Sequence, residues 1–190
     1  ISKKSFISKI IIRLFKKKTD LKILEIGCSN GLIMRKLDRK FYNSKFFGTE
    51  INNYYKKEFP KKNNFKLLIN PDLEKFKKKS FDLIIMSHVF NYFNNPQKVL
   101  LQLHHLLKME GNLFFVLPNI TKNPYYSLMG DQKLILTTNS LTNILKISGF
   151  TAKIIRDQNL SRELILVASK KKLKKFNLKK DTVLEKNIKI

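Results

Sequence analysis

The sequence has little of what builds cross-linked, metal-bound or membrane-spanning proteins. Its 190 residues include one cysteine, Cys28, which excludes an intramolecular disulfide framework. No group of Cys and His residues has metal-ligand spacing, so no metal site is predicted. No apolar run approaches the roughly 20 residues of a transmembrane helix. A chain of this size can bury a core of its own, which indicates a single domain.

Acidic residues are also scarce. The chain has 39 lysines and arginines against 14 aspartates and glutamates, and its formal net charge is +25. Such a charge favours a polyanionic partner, nucleic acid above all. Few of the basic residues are arginine, however. Arginine is the residue most suited to bidentate hydrogen bonds with phosphate groups and to recognition of base edges. The abundance of Lys, Asn, Ile and Phe together is typical of A/T-biased codons. A small-molecule partner is therefore favoured, and nucleic acid stays the alternative.

The first 20 residues are predicted to form a basic amphipathic helix. Ile7, Ile10, Ile11 and Leu14 share one helical face, which we expect to cover the edge of a sheet. Peripheral contact with a membrane surface is the alternative. Basic residues interrupt the apolar stretch, which excludes a secretory signal peptide. The sequence begins without methionine, and this suggests a fragment of a longer protein.

The most informative segment runs from Leu21 to Gly31, where an apolar run ends in a carboxylate and breaks into glycines. This pattern predicts a buried strand, a tight loop and a helix start, the place where an open α/β sheet lets a nucleotide-like ligand touch backbone. Gly27 and Gly31 allow positive φ, and we expect them to leave the loop amides bare. Glu25 places a negative charge at the mouth of the loop, which disfavours a pyrophosphate and favours a ligand with a cationic end.

Two further acids follow predicted strands. Glu50 ends a short predicted strand. In nucleotide-binding folds an acid that binds the two ribose hydroxyls follows the glycine loop by roughly 20 residues, and Glu50 lies slightly further along the chain than that. One carboxylate can accept hydrogen bonds from both hydroxyls, and a solvated acid at a strand end is the alternative. Asp72 follows a third strand over 65–69, where it is also suited to cap a helix that starts near Leu73.

These motifs resemble those of a known family. E-I-G-C-S-N-G, residues 25–31, is similar to the first motif, E/D-x-G-x-G-x-G, of class I S-adenosylmethionine-dependent methyltransferases, with Ser29 in place of the middle glycine. F-D-L-I-I-M-S-H-V-F-N-Y-F, residues 81–93, resembles the family's fourth strand and the loop after it. The resemblance implies S-adenosylmethionine as cofactor. The cofactor contacts expected from it are Glu25, Gly27, Cys28, Ser29, Gly31, Glu50, Asp72 and Ser87.

The acceptor side is less clearly marked. Residues 123–138 are predicted to lie over the crevice as a lid, in which Asp131 precedes Gln132 where the resembling family has an Asp-His pair. His88 suits a general-base role because imidazole titrates near neutral pH, but packing or hydrogen bonding is the favoured interpretation. No catalytic residue is assigned. The expected substrate contacts are His88, Tyr92, Tyr125 and Asp131.

The predicted fold is α/β, a Rossmann-like, seven-stranded, mostly parallel sheet with helices on both faces and a C-terminal antiparallel hairpin. Residues 21–169 correspond to the methyltransferase domain that the resemblance implies, and residues 170–190 to a lysine-rich tail or linker. Within the domain, a helix is expected to start at Asn95 and close at Gly111, with a strand over 112–117.

The predicted function is methyl transfer from S-adenosylmethionine to a small-molecule acceptor, such as a sugar, lipid or secondary-metabolite precursor, in the cytoplasm. In-line displacement at a sulfonium needs mainly positioning and the exclusion of water. A dinucleotide oxidoreductase, an RNA methyltransferase and a non-catalytic basic binding module are the alternatives. The sequence does not predict the oligomeric state.

Overall fold

The computed structural model describes residues 2–170. Four α-helices and seven strands alternate along most of this length, with short 3₁₀ turns between some of them. The helices are α1 (Lys3–Phe15), α2 (Leu32–Asp38), α3 (Pro96–Leu106) and α4 (Thr138–Ile147). The strands are β1 (Lys22–Ile26), β2 (Lys45–Glu50), β3 (Phe65–Ile69), β4 (Phe81–Ser87), β5 (Leu107–Pro118), β6 (Phe150–Ile155) and β7 (Glu163–Lys170). The predicted tail falls almost wholly outside the described residues.

The strands form one sheet in the order β3-β2-β1-β4-β5-β7-β6. The first five strands along the chain pair in parallel, whereas β7 runs antiparallel to β5 and β6 antiparallel to β7. The strand order reverses between β1 and β4, and ligands of open α/β sheets bind outside the carboxyl ends of the strands at such a point. The predicted fold is confirmed.

Each face of the sheet has its own core because a parallel sheet needs both faces covered. On one face, α1 and α2 pack against inward side chains of β1, β4 and β5 such as Ile23, Ile85 and Phe114. On the other face, α3 and α4 cover Leu24, Ile84 and their neighbours. Alternate residues of β1 and β4 therefore point to opposite cores, as the period of a strand requires. Within residues 2–170, no helix is both long enough and apolar enough to cross a membrane.

The position predicted for the N-terminal helix is wrong. Helix α1 contacts α2 and lies over a face of the sheet, where Ile7, Ile10 and Ile11 are buried together with Phe15. Leu14 is partly exposed instead. The last turn therefore uses Phe15 to close the apolar face.

The predicted boundary between α3 and β5 is also wrong. Asn95 caps α3 as expected, with its side-chain oxygen accepting a hydrogen bond from the backbone N–H of Lys98 at 2.9 Å. The helix ends at Leu106, however, and β5 begins at the next residue, so Gly111 lies inside the strand. A Cβ at Gly111 would lie 2.9 Å from the Leu107 side chain and 3.0 Å from the Phe81 carbonyl. Gly111 therefore permits close packing beside β4 and does not cap a helix.

Candidate active site

A cavity of about 530 Å³ opens at the carboxyl ends of β1, β2 and β4. The fold places it at the reversal in strand order, where the chain leaves β1 and β4 in opposite directions. Five of the predicted site residues line it: Gly27, Glu50, Ser87, His88 and Tyr92. The other predicted residues lie outside its lining: Glu25, Cys28, Ser29, Gly31, Asp72, Tyr125 and Asp131.

The glycine loop between β1 and α2 is held by the end of β2. The backbone N–H groups of Gly27 and Cys28 both donate to the Thr49 carbonyl, at 2.9 and 3.1 Å. The Ser29 N–H donates to Oε1 of Glu50. The expectation of bare loop amides is therefore wrong for these three residues, because a buried loop must satisfy its own donors. These hydrogen bonds brace the loop against the end of the strand that carries Glu50, and Gly27 of the loop lines the cavity.

Left-handed backbone shapes this loop. Gly27, Ser29 and Gly31 have φ angles of 69°, 53° and 71°. A Cβ at Gly27 would lie 3.0 Å from the Val89 side chain, and one at Gly31 would lie 2.9 Å from Pro60. Ser29 therefore adopts the positive φ that a glycine adopts more readily. The loop keeps its tight shape despite the serine, and the two glycines let neighbouring loops approach it closely.

Glu25 does not lie at the mouth of the loop. It is 2% exposed, beneath the loop, and its Oε2 has no hydrogen-bond partner among the described residues. Burial above all, with a smaller contribution from Glu50, raises its pKa to about 8, although nearby Lys4 and the backbone N–H of Met34 act in the opposite direction. The prediction that Glu25 places its charge at the mouth of the loop is therefore wrong, because the side chain is buried and burial favours its protonated form.

Cys28 is a core residue. Its side chain is 1% exposed and packs into the space that Gly48 leaves, since a Cβ at Gly48 would lie 2.5 Å from Cys28 Sγ. Burial raises the pKa of the thiol well above its ordinary range. The thiol is therefore directed into the core and does not line the cavity, and contact of Cys28 with the cofactor stays a prediction.

Asp72 caps a short turn and does not reach the cavity. Its carboxylate accepts a hydrogen bond from the backbone N–H of Glu74 at 2.9 Å, which is the alternative role that the sequence allowed. Asn70 and Pro71, just after β3, line the cavity instead. Neither residue was predicted, although their position immediately after a strand of the parallel sheet is a signal that could have identified them.

His88 lies on the cavity wall immediately after β4, with a φ of 56°. Its Nε2 is 3.3 Å from Oε2 of Glu163, at the start of β7, and Oε1 of Glu163 accepts a hydrogen bond from Lys3 Nζ at 2.6 Å. Burial lowers the pKa of His88, and Lys3 lowers it further, while Glu163 raises it. Sequence reasoning missed Glu163 and Lys3, because neither neighbours His88 in the chain.

The predicted lid has few interactions. Tyr92 lines the cavity, and its hydroxyl donates to the Asp131 carboxylate at 3.3 Å. Burial and Asp131 raise the pKa of Tyr92. The backbone of the lid is held further by the N–H groups of Lys133 and Leu134, which both donate to the Asn91 carbonyl. Tyr125 is 76% exposed, so it is no part of the cavity wall.

Comparison with known proteins places this geometry in a family. A family model described as a methyltransferase domain matches residues 3–152, which is most of the chain. A solved S-adenosylmethionine-dependent methyltransferase from Mesorhizobium loti is similar in structure, with a TM-score of 0.68 and 16% sequence identity. The similarity covers 85% of this chain and 96% of that structure.

Two curated relatives are similar in sequence. Malonyl-(acyl-carrier protein) O-methyltransferase 2 of Ilyobacter polytropus is 30% identical over 118 residues, covering 60% of this chain and 44% of the relative. Arginine-hydroxylase NDUFAF5 of Homo sapiens is 27% identical over 92 residues, covering 46% of this chain and 26% of the relative. The matches thus span less than half the length of these relatives.

The family, the fold and the cavity at the strand-order reversal agree with the motifs of the glycine loop and of the fourth strand. They confirm the predicted enzyme class and its cofactor, S-adenosylmethionine, at the level of the domain. The chain therefore belongs to the methyltransferase-domain family, and its fold is that of class I S-adenosylmethionine-dependent methyltransferases.

Proposed function

We propose that this protein transfers a methyl group from S-adenosylmethionine to a small-molecule acceptor. The observation that carries the proposal is Glu50, a carboxylate that lines the cavity while its Oε1 accepts the hydrogen bond of the Ser29 amide. That bond fixes the orientation of the carboxylate, and a carboxylate has capacity for further donors. Two vicinal hydroxyls of a ribose are such donors, and a fixed acceptor binds them without a further loss of side-chain freedom.

The cavity fits the rest of a nucleoside with a cationic tail. Ile51 and Leu73 offer apolar surface near Asn70, a combination suited to a flat base with polar edges. Gly27 offers main chain without a Cβ, and Glu25 beneath it has an oxygen without a partner among the described residues. A cation bound above Glu25 would favour its ionised form. We propose Gly27, Glu50 and Ser87 as direct cofactor contacts and Glu25 as a charge that acts from beneath the loop.

S-adenosylmethionine supplies a methyl group on a sulfonium centre, which is a good leaving group. The protein then has to hold the acceptor in line at about 3 to 3.5 Å and to exclude water. Tyr92 and Asp131, joined by their hydrogen bond, are the proposed acceptor contacts at the open side of the cavity. The named substrate of the bacterial relative is bound to a carrier protein, whereas we propose a free small molecule such as a sugar, lipid or secondary-metabolite precursor.

Calorimetric titration with S-adenosylhomocysteine and, separately, with NAD tests the proposal. We expect binding of the first and none of the second, because the amides of Gly27, Cys28 and Ser29 that could bind a pyrophosphate already donate to Thr49 and Glu50. Glu50→Gln keeps an acceptor oxygen for the Ser29 amide but loses the charge, so we expect S-adenosylhomocysteine to bind about tenfold more weakly or worse. Glu110→Gln, at an exposed position of β5, is the matched control and should change nothing.

Heat with NAD alone would contradict the proposal. Equal affinities of Glu50→Gln and Glu110→Gln for S-adenosylhomocysteine would remove the assignment of Glu50. The net charge of +25 keeps RNA as a second candidate acceptor. Normal binding of S-adenosylhomocysteine together with tight RNA binding that weakens steeply with salt would favour that candidate.

A further inference from the structure

We propose that His88 accepts a proton from the acceptor molecule and that Glu163 and Lys3 position His88 for this step. The acceptor atom that is methylated would then be one that carries a hydrogen when the acceptor binds. A hydroxyl or an acidic C–H fits this description, whereas a free carboxylate does not. The inference rests on the proposed function and deepens it by naming the class of acceptor. His88 would be the catalytic residue, and Glu163 and Lys3 positioning residues.

The fold brings these three residues together at one end of the strands β4, β5 and β7. His88 directly follows β4, whose last residue, Ser87, pairs with Val116 of β5. Glu163 begins β7 and pairs with Pro118, the last residue of β5. The imidazole therefore reaches across the end of β5 to the carboxylate on the next strand. Its backbone N–H is fixed by the Val116 carbonyl at 2.7 Å, which anchors the residue in its left-handed conformation.

The carboxylate behind the imidazole is withdrawn from solvent. The Glu163 side chain is 1% exposed, whereas that of His88 is 33% exposed and belongs to the cavity wall. A buried carboxylate needs a charged partner to stay ionised, and Lys3 of α1 provides it at 2.6 Å. The arrangement is thus a solvent-accessible base with a buried acid behind it and a cation behind the acid.

The charges around His88 come from two elements. Glu163 of β7 favours the protonated ring, and Lys3 of α1 opposes it. Arg162 and Tyr126 act on Lys3 in turn. Burial lowers the pKa of His88 from its ordinary value of 6.5, which favours the neutral ring that can accept a proton. Once protonated, it is stabilised by Glu163.

The step balances without a further reactant. With the hydrogen of the neutral ring on Nε2, the nitrogen that lies 3.3 Å from Glu163 Oε2, the lone pair of Nδ1 is free to take the proton. The acceptor's bond to hydrogen breaks, its proton goes to Nδ1, and its electron pair forms the new bond to the methyl carbon. The sulfur of the donor keeps the electron pair of the bond that breaks. A carboxylate acceptor has no proton to give and would need no such base.

The first test is a histidine titration by NMR on the protein saturated with S-adenosylhomocysteine. The chain has three histidines, so His88→Asn and His105→Asn assign the signals. We expect Glu163→Gln to lower the pKa of His88 and Lys3→Met to raise it, because the two charges act on the ring in opposite directions. Glu163→Asp should restore the pKa in part. A His88 signal that does not titrate, or that ignores both substitutions, would overturn the proposal.

The second test measures methyl transfer with three probes, catechol, an acetoacetyl thioester of N-acetylcysteamine, and benzoate. We expect transfer to catechol or the thioester to fall about 100-fold in His88→Asn. The acid limb of the pH–rate profile for this transfer should move to lower pH in Glu163→Gln and to higher pH in Lys3→Met. His105→Asn is the control and should leave the profile unchanged. Transfer to benzoate alone, or an unchanged rate in His88→Asn, would overturn the proposal.

The two proposals fail in different ways. If the wild type does not bind S-adenosylhomocysteine in the calorimeter, the proposed function fails. If it binds normally, and His88→Asn also binds normally without loss of transfer, only the role of His88 fails. A structural ion pair without a role in proton transfer would leave the pH profile in place when Glu163 is replaced.

Discussion

The two sides of the cavity differ in how firmly the chain holds them. On the cofactor side, backbone donors of the glycine loop bond to Thr49 and Glu50 at the end of β2, and Cys28 fills the space above Gly48. On the acceptor side, residues 123–137 form short turns and extended chain, held to Tyr92 and Asn91 by a few hydrogen bonds. The difference indicates a preformed cofactor site beside an adaptable acceptor site.

Glu50→Ala, on the cofactor side of the cavity, should give the largest loss of binding affinity. It removes the proposed acceptor of the ribose hydroxyls and the partner of the Ser29 amide, so we expect S-adenosylhomocysteine binding to weaken by roughly 2 to 4 kcal/mol. Asp131→Ala, on the acceptor side, should leave the affinity for S-adenosylhomocysteine within about 0.5 kcal/mol of the wild type. Calorimetry on both variants measures the two affinities. Equal losses would contradict the distinction between a preformed cofactor site and an adaptable acceptor site.

A pair of glycine substitutions compares packing on the two sides. Gly48→Ala places a Cβ 2.5 Å from Cys28 Sγ, and such overpacking should destabilise the domain by about 1 to 3 kcal/mol. Gly130→Ala adds a Cβ with no atom within 4 Å, so we expect a change within about 0.5 kcal/mol. Urea unfolding measures both. A tolerated Gly48→Ala would show that the cofactor side can relax.

The buried Glu25 should make stability depend on pH. Its pKa is about 8 in the folded domain against 4.5 in the unfolded chain, so between these values the unfolded state binds fewer protons. The free energy of unfolding should fall as the pH rises through this window, by up to about 1.4 kcal/mol per pH unit. Glu25→Gln should flatten this dependence. Unfolding at several pH values measures it, and an equal slope in both proteins would contradict the burial of a protonated carboxyl.

Tyr92→Phe should have the smallest effect. It removes the exposed hydrogen bond to Asp131, which we expect to contribute less than about 1 kcal/mol to the free energy of unfolding. Thermal unfolding should therefore change little, and binding of S-adenosylhomocysteine should not change. A large loss of stability would mean that the lid is as firmly held as the glycine loop.

Sequence reasoning succeeded where a feature is local. The first strand, the loop with its two glycines and the placement of Glu50 at a strand end follow from spacing and periodicity, whereas the arrangement of the sheet came from the family resemblance. It failed for the position of Glu25, because the direction of a side chain near the end of a buried strand depends on packing. It also missed Glu163, whose contact with Lys3 joins residues 160 positions apart. Such long-range pairs leave no periodic signal in one sequence.

A crystal structure of the domain with S-adenosylhomocysteine would show directly whether the cofactor binds at Glu50. We expect the nucleoside in the cavity at the ends of β1, β2 and β4, with both ribose hydroxyls within hydrogen-bond distance of Glu50. A ligand bound elsewhere, or a ribose that does not touch Glu50, would contradict this expectation.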